Sequence, residues 1–299
     1  MKKKTALALG SGGARGIAHI GVIRELESNG FEIISVAGSS MGALIGGVYA
    51  SGKLDEYEQW ITSLSKMDIF NLVDFTISSK GIIKVDKVLN EIKSFIPDCK
   101  IEELPKKFTA VATDLAKKEE VVIKTGSLYD AIKASISIPM LITPVQKNDT
   151  LFVDGGVMNP VPVNRVDRSE DDLLVAVNVN AFIPFRNHST VKDQDWSWFE
   201  KMNMVKLNGF IKQLPGLGNG NGNKNKKNEF GYFNLLTNTS SLMLKQIMDL
   251  TFKLTPPDVL IEISRDAGGI FDFFRAKELI ELGHMAARKA IEEIGVEVT

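Results

Sequence analysis

The sequence predicts an α/β fold in which a central, mostly parallel sheet is flanked by helices as a three-layer sandwich. The first observation is an apolar run at 5–9 followed by apolar positions at helical spacing over 16–28. The second is that the pattern repeats at once, with a strand over 32–37 and a helix over 41–50. The third is that a glycine-rich turn follows each of these two strands. This order predicts parallel strands joined by right-handed crossovers.

The rest of the chain carries signals of the same kind, and residues 1–299 are predicted to form a single domain. Further strands are predicted at 108–113, 121–124, 151–153, 173–179 and 259–263. Further helices are predicted at 55–64, 86–95, 128–135 and 276–294.

Composition excludes several classes of protein. Apolar residues make up 44% of the chain and the net charge is −1, so a large core is expected and no basic field attracts nucleic acid. The single cysteine, Cys99, excludes an internal disulfide, and three histidines make a zinc site unexpected. The apolar run after the basic start ends at Gly10, too early for a signal peptide, so a cytoplasmic protein is expected.

An insertion is predicted at 182–238, where the strand and helix pattern is lost. Residues 216–228 are rich in Gly, Asn and Lys and are predicted to form a mobile loop. Residues 196–214 are rich in aromatic and apolar side chains. They fit either a helix packed on the core or a lid, and the second alternative would give peripheral membrane contact through 196–228.

The strongest chemical motif is Gly38-Ser39-Ser40-Met41-Gly42, which fits G-x-S-x-G between a predicted strand and a predicted helix. A serine in so tight a turn needs neighbours without side chains, which Gly38 and Gly42 supply. The helix that starts behind Ser40 offers free N–H groups and a positive dipole end to a developing negative charge. The motif therefore predicts a nucleophile elbow.

The glycine-rich loop 10–16 also lies between a strand and a helix. Its N–H groups could form an oxyanion hole or bind a phosphate. A Walker A loop is rejected because no Gly-Lys-Ser/Thr follows, and a dinucleotide site lacks the acidic residue after the second strand. Arg15 could steady this loop or attract an anionic substrate.

The proton acceptor for Ser40 has several candidates. His19, His188 and His284 lie in no catalytic motif, and His19 and His284 fit helix-face or packed positions. Asp154 ends a predicted strand and precedes Gly155-Gly156, which could aim its carboxylate at the elbow. Asp114, at the end of another strand, is the rival carboxylate.

Four motifs in order resemble the patatin-like phospholipase family. The loop 10–16 is similar to its oxyanion motif, and Gly38–Gly42 is similar to its nucleophile elbow. Asp154-Gly155-Gly156 resembles its D-G-[GA] motif, and residues 134–139 also fit bacterial members. The resemblance covers 5–180 and a terminal strand and helix at 258–294, but not the insertion.

The resemblance implies a lipid acyl hydrolase, either a phospholipase A or a lysophospholipase-like esterase, with a Ser40–Asp154 dyad and no cofactor or metal. Lipid or phospholipid esters are the implied substrates. The implied oxyanion hole is formed by Gly12, Gly13, Ala14, Arg15 and Met41. An apolar groove for the acyl chain is expected near Ser40, with Met41, Ile138, Pro139 and Met140 in its wall.

Alternatives stay open. An esterase with a Ser40-Asp154-His284 triad would fit the chain order of the α/β-hydrolases, although their elbow follows more strands. A nucleotide-binding module and a lipid-binding protein without catalysis are the alternatives outside the hydrolases. A carboxylate is a weak base unless burial raises its pKa. The dyad therefore requires Asp154 to be buried, and we expect this.

Overall fold

The computed structural model describes residues 3–72, 74–78, 81–139, 141–147, 149–185 and 232–295. The chain divides into two compact units, one formed by 1–185 with 241–299 and the other by 186–240. Of the second unit, only 232–240 is described. His188, Met140, the aromatic stretch 196–214 and the loop 216–228 therefore lie outside the described residues, and the predicted insertion stays a prediction.

Strands and helices alternate through the first half, and the bounds of both follow here. The strands are β1 (Lys3–Leu9), β2 (Phe31–Ser39), β3 (Asp74–Ser78), β4 (Gly81–Lys84), β5 (Lys107–Asp114), β6 (Glu119–Ile123), β7 (Val145–Lys147), β8 (Thr150–Asp154), β9 (Leu173–Ala181) and β10 (Val259–Ser264). The helices are α1 (Ala18–Ser28), α2 (Met41–Ala50), α3 (Leu54–Ser63), α4 (Lys66–Leu72), α5 (Asp86–Phe95), α6 (Leu128–Ser135), α7 (Tyr232–Leu254) and α8 (Ala276–Glu293).

Eight of the described strands form the main sheet in the order β10-β9-β1-β2-β5-β8-β7, with β6 also paired to β5. The pairs from β10 to β5 are parallel, whereas β6, β8 and β7 pair antiparallel. The predicted α/β fold with a mostly parallel central sheet is confirmed. Strands β3 and β4 form a separate hairpin.

Both faces of the sheet are covered, which explains why β1 and β9 read as continuous apolar runs. One face of β1, including Leu7 and Leu9, packs into the larger core with α1 and α2. The other face carries Ala6 and Ala8, which pack in a smaller cluster with Met248 of α7. The sheet is thereby held between two layers.

Most predicted elements occur within a few residues of their expected bounds, and α2, α5 and α6 match them. The structure adds α4, the β3–β4 hairpin and β7, which are short and carry little periodicity. Part of the predicted irregular stretch, 232–238, is the start of α7. Its Asn and Thr content disfavours helix, but α7 continues into a segment whose Met248 packs on the core. Among the described helices, none combines the length and apolar character needed to cross a membrane.

Candidate active site

Ser40 occupies a strained turn between β2 and α2. Its φ is 57° and its ψ is −125°, a left-handed conformation that side-chain-bearing residues rarely adopt. A Cβ on Gly38 would lie 2.2 Å from the Gly42 carbonyl oxygen, and one on Gly42 would lie 2.1 Å from that of Leu9. The turn can form only because these two positions are glycine, which is the geometry that the motif predicted.

The sheet register brings Asp154 to Ser40. Strand β2 pairs with β5 as far as Ser39 opposite Val111, and β8 ends with Asp154 opposite Ala112. Strand β6 pairs with both Val111 and Ala112, so it takes the other side of β5. Strands β2 and β8 therefore run toward each other along the same side of β5. Ser40 follows the end of one strand, and Asp154 is the end of the other.

The two side chains make a direct hydrogen bond. The Ser40 hydroxyl donates to Oδ2 of Asp154 at 2.5 Å, and the Gly156 N–H donates to Oδ1 at 2.7 Å. Asp154 is 5% exposed and Ser40 is 3% exposed. Burial raises the pKa of Asp154 from 3.8 to about 6, against the opposite effect of its two hydrogen bonds. The expected burial of Asp154 is found.

The glycine-rich loop is attached to its surroundings through its backbone. The N–H of Ser11 donates to the Pro160 carbonyl at 2.8 Å, and the N–H of Ala14 donates to the Ile270 carbonyl at 2.9 Å. Gly13 has a φ of 57°, and a Cβ there would lie 2.8 Å from the Ile270 oxygen. Because the Ala14 N–H is already engaged, this predicted oxyanion-hole residue holds the loop instead.

Arg15 is engaged in the same way. Its guanidinium donates to the Val179 carbonyl at 3.2 Å, to the Gly268 carbonyl at 2.6 Å and to Oδ1 of Asn180 at 2.6 Å. The Asn180 amide in turn donates to the Ser11 carbonyl at 2.5 Å. Arg15 thus ties the loop to β9 and to the turn after β10. Of the two roles considered for Arg15, these contacts support the one that steadies the loop.

The rival bases are occupied elsewhere. Nε2 of His19 lies 2.8 Å from the Gly10 carbonyl, so it carries the proton and donates; burial lowers the pKa of this histidine to about 4. Oδ1 of Asp114 accepts hydrogen bonds from the N–H groups of Ala116 and Lys117, so this carboxylate caps a turn. Oγ of Ser40 and Oδ2 of Asp154 are 2.5 Å apart, which leaves no space for an imidazole between them.

His284 belongs to a different cluster. Its Nδ1 lies 3.0 Å from Oε2 of Glu25, and Nε of Arg288 lies 2.9 Å from Oε1 of the same carboxylate. This cluster joins α1 to α8. The structure therefore places His284 with Glu25 and places Asp154 with Ser40, which does not fit the Ser-Asp-His triad.

Replacing His284 with Ala is expected to leave kcat/KM for a soluble ester close to that of wild type. The partly exposed pair with Glu25 contributes at most about 1 kcal/mol, so the variant stays folded at assay temperature. Activity and thermal unfolding should be measured on the same preparation. A loss as large as that of Ser40→Ala in a folded variant would restore the triad.

An apolar cavity opens directly onto Ser40. Its walls come from α2 to α5, from the segment after α6 and from the segment after β10. The lining residues are Gly13, Ser40, Met41, Leu44, Tyr57, Trp60, Ile61, Leu64, Ile69, Leu72, Lys84, Val85, Val88, Leu89, Ile136, Ile138, Ile142, Ile270, Phe271 and Phe273. Ile138 and Met41 lie where the groove was predicted, whereas Pro139 is exposed and outside the described lining.

The walls supplied by α3 and α5 were not predicted. Their apolar faces have the same spacing as any helix that packs on a core, and only the tertiary arrangement turns them toward Ser40. Within the described parts of the chain, no group of three or more His, Cys, Asp or Glu side chains could hold a metal ion.

Comparisons with known proteins agree with the resemblance found in the motifs. The family model described as patatin-like phospholipase matches residues 7–167. An uncharacterised NTE family protein of Mycobacterium tuberculosis is 32% identical over 98% of this chain and 93% of its own length. Lysophospholipase NTE1 of Yarrowia lipolytica is 29% identical over 58% of this chain and 12% of its own length. Among solved structures, VipD from Legionella pneumophila matches with a TM-score of 0.45 and 13% identity, over 98% of this chain and 67% of VipD.

Proposed function

The chain belongs to the patatin-like phospholipase family, and from this premise we propose that it is a lipid acyl hydrolase with a Ser40–Asp154 dyad. The observation that carries the proposal is the hydrogen bond of 2.5 Å between the Ser40 hydroxyl and the Asp154 carboxylate. Ser40 also lines an apolar cavity. The arrangement matches a nucleophile within reach of its base, without a histidine.

The reaction proceeds through a covalent intermediate. Asp154 accepts the hydroxyl proton while the Ser40 oxygen attacks the ester carbonyl carbon. The tetrahedral intermediate collapses, the alcohol leaves with the proton held by Asp154, and the acyl group remains on Ser40. A water molecule then gives its proton to Asp154 and attacks the acyl group, and release of the acid returns the proton to Ser40.

The negative charge on the carbonyl oxygen needs donors next to Ser40. Met41 is the first residue of α2, so its N–H has no acceptor within the helix. The N–H groups of Gly12 and Gly13, at the start of the short helical turn 13–17, complete the proposed oxyanion hole. We assign the hole to these three residues, since Ala14 and Arg15 are held by their own partners. The N-terminus of α2 adds a favourable dipole.

The cavity supports an ester with a long acyl chain as substrate. Nearly all of its lining side chains are aliphatic or aromatic, which favours a hydrocarbon chain over a polar group. A phospholipase A or lysophospholipase-like esterase would use it in this way. Peripheral membrane contact and a cytoplasmic location stay predictions.

A fluorophosphonate probe tests the proposal. We expect one covalent adduct, located by peptide mass spectrometry on the Ser40 peptide, because the probe reacts with an activated serine. The adduct should be absent in Ser40→Ala and form far more slowly in Asp154→Ala. A folded wild-type protein that forms no adduct would contradict the proposal, and lipid-binding and nucleotide-binding assays would then test the two non-catalytic alternatives.

The dyad also predicts a pH profile. Asp154 accepts a proton only when it is ionised, and burial raises its pKa to about 6. We therefore expect kcat/KM for a soluble ester to rise with pH through a midpoint near 6 and to level off above it. The residual activity of Asp154→Asn is the control and should lack this step. A wild-type profile that stays flat as the pH falls to about 4 would contradict the assignment of Asp154 as the base.

A further inference from the structure

Four consecutive residues at the end of α6 make two kinds of contact with the active site. Ser135 and Ser137 bond to the backbones of the two dyad residues, and Ile136 and Ile138 line the apolar cavity. We call residues 135–138 the SISI segment. Its serines and isoleucines alternate, so one short stretch contacts both the catalytic pair and the acyl cavity.

Ser135 fills a gap in the sheet at the point where β2 ends. Its hydroxyl accepts the Ser40 N–H at 2.9 Å and donates to the Val111 carbonyl at 2.6 Å. Ser39 is the last residue of β2 paired with β5, so the Ser40 N–H has left the ladder of sheet hydrogen bonds. Ser135 and Val111 are fully buried, and without the hydroxyl both backbone groups would lose this partner.

Ser137 makes the corresponding contact with the other member of the dyad. Its carbonyl oxygen accepts the N–H of Asp154 at 2.9 Å, while its hydroxyl donates to the Lys133 carbonyl of α6 at 2.8 Å. The segment is therefore anchored on α6 and bonded to both catalytic backbones. A displacement of the segment changes the position of Ser40 relative to Asp154.

We propose that the SISI segment is a positioning element that couples an acyl chain in the cavity to the geometry of the dyad, an inference that rests on the proposed function. A chain packed against Ile136 and Ile138 restricts the segment, and Ser135 and Ser137 pass that restriction to Ser40 and Asp154. Binding energy of the acyl chain is then expressed in kcat as well as in KM.

The first test compares p-nitrophenyl acetate with p-nitrophenyl octanoate. In wild type, the longer chain is expected to raise kcat as well as to lower KM. Ser135→Ala should lower kcat for the octanoate by about 10²-fold, keep the KM difference between the two esters, and bring their kcat values together. A folded Ser135→Ala variant that keeps the wild-type ratio of kcat values would overturn the inference. So would a wild-type enzyme in which chain length acts on KM alone.

A second pair of variants answers the case in which Ser135→Ala does not fold. Ile138 and Leu64 both line the cavity and both are half-buried, but only Ile138 belongs to the segment bonded to the dyad. Ile138→Ala should lower kcat for the octanoate and raise its KM, whereas Leu64→Ala should raise KM alone. The same change in both variants would reject the coupling.

Fluorophosphonate labelling separates the two levels of inference. If wild type forms no Ser40 adduct, the proposed function fails. If wild type forms the adduct, and a folded Ser135→Ala forms it at the wild-type rate, only the positioning role fails. Slow but stoichiometric labelling of Ser40 in Ser135→Ala is the result that the inference expects.

Discussion

Ser40→Ala and Asp154→Asn are each expected to lower kcat/KM for a soluble ester by about 10³-fold or more. The double variant should have about the same kcat/KM as the less active of the two single variants. The reason is that, in the proposed mechanism, the hydroxyl and the carboxylate act as one proton-transfer unit, joined by a hydrogen bond of 2.5 Å. Without the nucleophile, the base has no proton to accept. Without the base, the hydroxyl remains protonated and is a poor nucleophile.

Steady-state kinetics on the three variants and wild type measures this coupling. Asp114→Asn is the matched control, because Asp114 is also a buried carboxylate at the end of a strand, but it caps the turn to Ala116 and Lys117. It should keep most of the activity. Losses that multiply in the double variant would mean that Ser40 and Asp154 act independently, which would contradict the proposed dyad.

The tight turn at Ser40 could be predicted from the sequence because its geometry depends on local sterics. The turn around Ser40 needs glycine at two specific positions, and both Gly38 and Gly42 meet backbone atoms where a Cβ would be. The predicted bounds of α2 match the structure for the same reason. When backbone clashes impose the spacing of a motif, the motif itself predicts the local structure.

The meeting of Ser40 with Asp154 could not be derived from spacing alone. It depends on β8 running antiparallel to β5 and ending opposite Ala112, a pairing between segments about 40 residues apart. Asp154 was singled out by its glycine turn and by the family resemblance, but the direction of its strand was not predicted. The sequence alone also left Asp114 and His284 open as partners.

The glycine-rich loop 10–16 shows a similar limit of prediction from sequence. Its glycines indicate where backbone N–H groups lie, but not which of them are free. Ile270, far along the chain, accepts the N–H of Ala14, and Val179, Asn180 and Gly268 occupy Arg15. These partners lie within β9 or after β10, and they come to the loop only through the parallel sheet.

Asp154→Asn should be more stable than wild type at pH 8, by about 3 kcal/mol, although it is nearly inactive. In the folded protein the pKa of Asp154 is raised from 3.8 to about 6 because burial penalises the charged form. Folded wild type therefore binds more protons than unfolded wild type between pH 4 and pH 6, and its stability falls as pH rises through that range. The increase in the pKa of Asp154 corresponds to a loss of about 3 kcal/mol in folding stability above pH 6, because one pKa unit is worth about 1.4 kcal/mol.

Denaturant unfolding at pH 4 and pH 8 measures this difference, which should be largest at pH 8 and shrink toward pH 4. Asparagine can keep both contacts, since its oxygen accepts the Gly156 N–H and its amide donates to Ser40. Ser40→Ala is the control: it is expected to be inactive but retains the carboxylate. Its pH dependence should be at least as large as that of wild type, because the lost Ser40 hydrogen bond lowers the pKa of Asp154 in wild type. If Asp154→Asn is no more stable than wild type at pH 8, then burial imposes no penalty on the carboxylate. In that case the pKa that suits Asp154 to act as a base would need another cause, because the same desolvation is expected both to destabilise the fold and to make this carboxylate a stronger base.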